Sequence, residues 1–305
     1  MTQVTLNTDR SKVLAAMNAN QISFADAKTR TRAFVEQYKA IMRTENNVTA
    51  LIMSEPGVGK TNFLSTCRKP ILIDHFDPKG TTVIKDLIEQ GNGDIVVRPW
   101  WDMTTAYKEW SEQFTKDIAS GYLSYFGTYA MDTITGFSDA VVFDVTESKE
   151  RQDNVPLSTV KGELVGADYN FIKARIQNTV KLALAQRCDV VMTAHLIKYQ
   201  DAKNVTHIDL VAIGKLKVII PSLFTEKWVM YVDPSNRSRW ILVDRYGNYD
   251  ASTQIGVKYS KEGEREIVLG IQDGQGKRTV FEYPNMKHIL KKCGLSDEDK
   301  PSLVE

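Results

Sequence analysis

Apolar residues along this chain follow two rhythms in alternation. From Val48 to Met53 they run almost unbroken, the pattern of a strand buried on both faces. Short runs of the same kind at Pro70–Asp74, Asp94–Val97, Gly127–Asp132 and Asp189–Ala194 predict further strands. Between them the spacing becomes helical. Helices are predicted over Thr81–Gln90, Gly136–Val145 and Ala167–Arg187, and over Met103–Ser120, where Tyr107, Trp110, Phe114 and Ile118 share one face. A polar stretch, Thr146–Glu163, interrupts the series. Strand and helix alternating over roughly 150 residues predict an α/β fold, with a mostly parallel central sheet and helices on both faces.

The ends follow other patterns. Residues 1–22 are polar, with a short helix possible at Ser11–Asn18. From Ser23 a weak capping-box signal, S-F-A-D, precedes Phe24, Ala27, Thr31, Phe34, Val35, Tyr38, Ile41 and Met42 at helical spacing. One amphipathic helix is expected up to about Arg43, either packed on the edge of the core or docking a neighbouring subunit. Late in the chain, Val218–Ile220, Lys227–Val232, Trp240–Val243 and Ile267–Ile271 are strand-like. Turn signals lie at Asp233-Pro234-Ser235-Asn236 and Gly247-Asn248, so antiparallel strands should extend the sheet. Pro284–Cys293 is a candidate terminal helix and Ser296–Glu305 a loose polar tail. The expected division is a helical extension (1–47), an α/β core (48–252) and a C-terminal β/α extension with its tail (253–305).

Composition narrows the class only a little. With 42% hydrophobic and 25% charged residues, the chain reads as an ordinary soluble globular protein. A net charge of +1 gives no global basic field, so any nucleic-acid surface must be local. No stretch has the length of a membrane span, and the polar start is no signal peptide. Cys67, Cys188 and Cys293 are too scattered for a metal or disulfide framework, which fits a reducing cytosol.

The sharpest chemical signal is S-E-P-G-V-G-K-T, Ser54 to Thr61, between the first strand and an amphipathic segment. That order, strand then Gly-rich turn then helix, is a phosphate-binding P-loop, and Ser54, Glu55, Pro56, Gly57, Val58, Gly59, Lys60, Thr61 and Asn62 form the nucleotide cradle. Gly57 and Gly59 let backbone N–H groups face a phosphate. Lys60 carries charge to the β- and γ-phosphates of ATP, and the Thr61 hydroxyl can ligate Mg²⁺. Ser54 stands where the pattern has its first glycine, a small change at a crowded strand end.

Four further groups could complete such a site. Asp132 ends the strand G-T-Y-A-M-D and is placed to hold Mg²⁺. Asp74 and Asp77, in I-L-I-D-H-F-D-P, are alternative carboxylates for orienting the attacking water, and spacing cannot choose between them. Thr193 and His195 end V-V-M-T-A-H, where a polar group can sense a γ-phosphate. Lys215, Lys217, Arg237 and Arg239 are cations that a neighbouring subunit could supply in trans. The polar segment Leu196–Ala212, with Lys198, Tyr199, Lys203, Asn204 and His207, is either a loop that touches single-stranded DNA or a solvated loop balanced by Asp201 and Asp209.

Taken in order, the P-loop, I-D-H-F-D-P, A-M-D-T-I-T, D-Y-N-F-I-K-A-R-I, V-V-M-T-A-H and G-K-L-K-V-I-I-P resemble the RecA-like ATPases of bacteriophages. These are RadA/RadB-like AAA-domain nucleotide-binding proteins linked to single-strand annealing and recombination. The resemblance covers about Val48 to Ser252. It implies a RecA-like core, ATP and Mg²⁺, single-stranded DNA as partner, and a homo-oligomeric ring or filament with sites formed between neighbours. By the same resemblance Lys60 and Thr61 are the phosphate and Mg²⁺ residues, Asp132 the second carboxylate and His195 the γ-phosphate sensor. One departure matters: in RecA a Glu follows the second-strand Asp by two residues, and here that place is Phe76. Either Asp77 substitutes for it or hydrolysis is slow. Two alternatives stay open: a packaging or helicase-type motor, against which Thr133 stands where a Glu is usual, and a nucleotide-gated assembly protein with weak hydrolysis.

Overall fold

The computed structural model describes residues 23–44, 47–77, 85, 86, 88, 89, 93–102, 104–147, 164, 166–259, 263, 265–272 and 278–304. Two compact units result, Met1–Asn46 and Asn47–Glu305. The first holds helix α1 (Phe24–Thr44), in which the Ser23 Oγ accepts from the Asp26 N–H at 3.1 Å and donates to Asp26 Oδ2 at 2.7 Å. Phe24 and Phe34 are exposed on it. The helix considered at Ser11–Asn18, all but Thr146 and Glu147 of the polar stretch Thr146–Glu163, and most of the helix expected over Thr81–Gln90 lie outside the described residues.

The second unit is built on a sheet of order β11-β8-β7-β1-β5-β4-β2-β3. Its parallel part comprises β7 (Glu226–Val232), β1 (Thr49–Ser54), β5 (Asp189–Gln200), β4 (Thr128–Asp132), β2 (Ile71–His75) and β3 (Ile95–Pro99). On the β7 edge, β8 (Arg239–Leu242) and β11 (Phe281–Glu282) continue it with antiparallel pairings. β9 (Val257–Tyr259) and β10 (Arg265–Ile267) form a separate ribbon. This is the α/β architecture expected from the alternation, with antiparallel strands at the C-terminus. Among the described residues no helix is long and apolar enough to cross a membrane.

Alternation along each strand sends neighbouring residues to opposite faces. Leu51, Met53, Leu72, Tyr129, Met131, Val190 and Met192 pack with α3 (Ala106–Ser120), α4 (Ile134–Glu147), α5 (Gly166–Leu184) and α6 (Leu216–Ser222). Ala50, Ile52, Ile71, Ile73, Ala130 and Val191 face the other way, onto α2 (Lys60–Leu64) and α7 (Met286–Cys293). Two satisfied cores thus flank one sheet. Asn285 caps α7, its side chain accepting from the His288 N–H at 2.9 Å.

Three expectations are corrected. Val218–Ile220 is no strand but part of α6, where Leu216 and Ile220, one helical turn apart, are buried and Val218 is exposed. Leu196–Ala212 is not a loose loop: β5 runs on to Gln200 and pairs with β6 (Thr206–Leu210) as a hairpin. The tail, though irregular, is anchored. Lys300 Nζ donates to the carbonyls of Ser124 (2.7 Å), Phe126 (2.6 Å) and Arg187 (3.3 Å), and Asp299 accepts from the Lys69 N–H at 2.6 Å. After Ser252 the chain is tied back to β7, where buried Glu226 accepts from Thr253 Oγ1 at 2.5 Å and from the N–H groups of Gln254 (2.9 Å) and Ile255 (3.0 Å).

Candidate active site

Parallel strands bring their carboxyl ends to one edge, and the candidate chemistry gathers there. β1 leads into the loop 55–59, in which Gly57 (φ +78°) and Gly59 (φ +110°) hold backbone that an L side chain resists. α2 is short, so an anion placed here would meet chiefly loop N–H groups and Lys60.

Lys60 is 5% exposed. Its Nζ lies 3.0 Å from Ser54 Oγ, 3.3 Å from the carbonyls of Ser54 and Glu55, and 3.2 Å from His195 Nδ1. Burial lowers its pKa to about 8, and Asp132 and Asp77 only partly offset this. The Ser54 hydroxyl, in the place of the pattern's glycine, therefore serves as a resting partner for the lysine.

Asp132 is buried at the end of β4 and receives three donors. Thr61 Oγ1 donates at 2.8 Å, His75 Nδ1 lies at 3.2 Å, and Thr193 Oγ1 donates to the other oxygen. Burial pushes the carboxyl up, but the His75, Thr193 and Thr61 hydrogen bonds hold it below the usual carboxylate range. Strand parity explains the convergence. His75, Asp132 and Thr193 follow Ile73, Ala130 and Val191 at spacing two, all on the α2 face of β2, β4 and β5. A threonine hydroxyl beside an ionised carboxylate is a hard-oxygen pair that suits Mg²⁺.

The same parity removes Asp74 from the chemistry. It points to the opposite face, is fully buried, and accepts from Arg98 Nε (2.7 Å) and Nη2 (2.8 Å), Trp100 Nε1 (2.8 Å), Trp110 Nε1 (2.8 Å) and the Tyr129 hydroxyl (2.8 Å). As one of the two candidates for orienting water it is corrected: its oxygens are consumed in joining β2, β3, β4 and α3. Asp77 instead lies beyond the strand, with Oδ2 3.7 Å from His195 Nε2. The imidazole of His195 thus stands between Lys60 and Asp77. Burial first, then the Lys60 charge, lower its pKa and favour the neutral ring. Phe76 is buried among Trp110 and Phe137, edge-to-face with both. Thr133 is buried as well and caps α4, its Oγ1 accepting from the Gly136 N–H at 2.9 Å.

The remaining candidates are dispersed. Lys217 pairs with Asp209 at 2.7 Å, and Lys215 and Arg237 are exposed, Arg237 in the turn between β7 and β8 with φ +58°. Arg239 reaches its own P-loop, Nε donating to the Val58 carbonyl at 2.9 Å. On the hairpin, Lys198 is exposed; Tyr199 is exposed too, stacks on His207 and donates to Asp209 at 3.0 Å. Lys203 sits in the turn, where its N–H and that of Val205 are held by Asp201. His75 escaped the sequence reading, although I-L-I-D-H places it on the same face as Asp132 once parity is applied.

A glycine-rich loop after the first parallel strand, a buried lysine and a threonine–aspartate pair together define a P-loop nucleotide-binding fold. Residues 46–254 match the family model described as AAA domain, and the chain belongs to this family. Among solved structures it is similar to flagellar accessory protein FlaH from Methanocaldococcus jannaschii, at 14% identity and a TM-score of 0.34, over 73% of this chain and 91% of that one. No curated protein matches it.

Proposed function

We propose that the chain is a Mg²⁺-dependent ATPase of RecA-like type that acts on single-stranded DNA as a homo-oligomer in the cytosol, in phage recombination, annealing or replication. The observation that carries the ATPase part is the meeting of Thr61, on the helix that follows β1, with Asp132, at the end of β4, at 2.8 Å beside buried Lys60, although β5 separates β1 from β4 in the sheet. Lys60 neutralises phosphate charge, moving from Ser54 and Glu55 to the ligand. Thr61 and Asp132 hold the metal, and when bound Mg²⁺ adds charge neutralisation at the transferring phosphoryl group. His75 and Thr193 fix the Asp132 carboxylate. Asp77 orients the attacking water, with His195 linking it to Lys60.

Support for the DNA partner is the resemblance together with an exposed hairpin bearing Lys198, Tyr199 and Lys203. Its carboxylates balance its lysines, so stacking rather than net charge has to dominate. Lys215, Lys217 and Arg237 are the cations left for a neighbour's site, and a heterologous contact of that kind closes a ring or extends a filament.

ATP turnover measured with and without Mg²⁺, and with and without single-stranded DNA, tests both parts. Mg²⁺-dependent turnover that DNA accelerates is expected. Wild-type ATP affinity in Lys60→Ala sinks the nucleotide assignment, and turnover indifferent to DNA sinks the partner. A second reading, a nucleotide-gated assembly protein, is favoured by Phe76, since a buried phenyl ring cannot activate water. It prevails if nucleotide changes the oligomeric state while turnover stays at background. The motor alternative is weakened by Thr133, whose hydroxyl is engaged in capping α4.

A further inference from the structure

We propose that Arg239 binds the nucleotide's phosphates from within its own subunit, as a second cation of the P-loop. This rests on the nucleotide reading of Ser54–Thr61. β7 lies parallel to β1, so its carboxyl end arrives at the same edge of the sheet as the P-loop. β8 turns back from there antiparallel, with Arg239 opposite Val232 at its start. Topology alone therefore delivers Arg239 to the loop of its own chain.

The local geometry is specific. Arg239 Nε donates to the Val58 carbonyl at 2.9 Å. A Cβ added to Gly59 would lie 3.4 Å from that Nε and 3.5 Å from Arg239 Cδ, so the side chain rests directly on the glycine at the end of the loop. The residue is exposed, and among the described residues its two terminal nitrogens make no hydrogen bond or ion pair. A guanidinium pinned by Nε presents those nitrogens as a pre-oriented fork, the geometry that recognises phosphate bidentately. The class of ligand is a nucleoside di- or triphosphate.

A cis role also separates Arg239 from the cations that a neighbour might donate. A side chain serving the next subunit gains nothing from a hydrogen bond to its own loop, and leaving that bond would cost it.

ADP binding to the full chain, followed by isothermal titration calorimetry, tests this. Arg239→Ala should weaken ADP about tenfold, the order expected for losing a charge-assisted contact. Arg239→Lys should recover part of the loss, because charge survives without the fork. Arg245→Ala, which removes an equal charge paired with Asp250, should bind as wild type. Melting of the nucleotide-free protein should be unchanged by Arg239→Ala, which separates a binding defect from a folding defect. A loss smaller than threefold overturns the proposal. So does recovery of turnover when Arg239→Ala chains are mixed with Lys60→Ala chains, because that rescue requires the arginine to act across an interface. If Lys60→Ala itself binds ADP as wild type does, the underlying nucleotide reading falls, a result distinct from a loss confined to Arg239.

Discussion

Lys60 shows how one buried charge makes a site responsive to its ligand. In the free protein the ammonium hydrogen-bonds neutral groups, Asp132 and Asp77 only partly offset its burial, and its pKa is held at about 8 against 10.5 in water. A polyphosphate supplies the missing counter-charge, so the pKa must rise on binding. Between the two values the complex holds more protons than the free protein, so affinity falls as pH rises above about 8. Binding at pH 8.5 should therefore take up protons, seen as a dependence of the calorimetric enthalpy on buffer ionisation heat. Identical enthalpies across buffers would place Lys60 outside the ligand's reach. Asp132 is the complementary case. Its hydrogen bonds keep it ionised, and Asp132→Asn should cost Mg²⁺-dependent turnover far more than nucleotide affinity. Equal losses in both would show that the residue acts on folding or on the nucleotide rather than on a metal.

At the scale of elements, β2 carries two polar residues of opposite meaning. Asp74 faces the aromatic core and fastens the edge strand β3 and helix α3 to the sheet through Arg98, Trp100, Trp110 and Tyr129. His75, one residue on, faces the site. Removing the Asp74 carboxylate would leave the Arg98 guanidinium with Asp117 as its remaining carboxylate and would strand two indole donors. Asp74→Ala should destabilise the fold by roughly 3–5 kcal/mol, the range for breaking a buried ion pair, read as a lower urea midpoint. A midpoint unchanged by the substitution would deny the anchor. His75→Ala should leave the fold largely intact while lowering turnover, because Asp132 loses one of three donors and keeps both threonines. The hairpin β5–β6 is similarly an element rather than a loop, since Ile197 and Tyr199, though exposed, lie on a strand that pairs in register with β6.

For the whole molecule, the last residues matter more than their composition promised. Lys300 bridges carbonyls from the 3-10 turn Tyr122–Tyr125, its exit at Phe126 and the end of α5's connection at Arg187. Burial lowers its pKa, and the three carbonyls hold its ammonium in place. Lys300→Ala should cost roughly 1.5–3 kcal/mol, the range for hydrogen bonds involving a charged group, and thermal unfolding should shift down by several degrees. An unchanged transition would return the tail to the solvated coil its sequence resembles. The proposed single-stranded DNA partner is tested at this scale too. Replacing Lys198, Tyr199 and Lys203 together should weaken single-stranded DNA binding and flatten its salt dependence. An unaltered affinity and salt slope would remove the hairpin from that interface.

The alternation of apolar runs with helical stripes made the parallel sheet legible, because burial on both faces demands strands with little polar relief and amphipathic helices to cover them. The P-loop was legible for a similar reason: its glycines, lysine and threonine are adjacent in sequence, so no folding is needed to bring them together. Tertiary structure alone decided what depends on distant segments meeting. Asp74 and Asp77 looked interchangeable until the pleat sent one into the core. Val218–Ile220 looked like strand until burial of Leu216 and Ile220 selected a helix. Arg239 was one cation among four until the order of β1, β7 and β8 laid it against its own loop. Local pattern fixes the elements, whereas the face a side chain takes and the partner it meets are set by register and packing, which act between residues far apart in the chain.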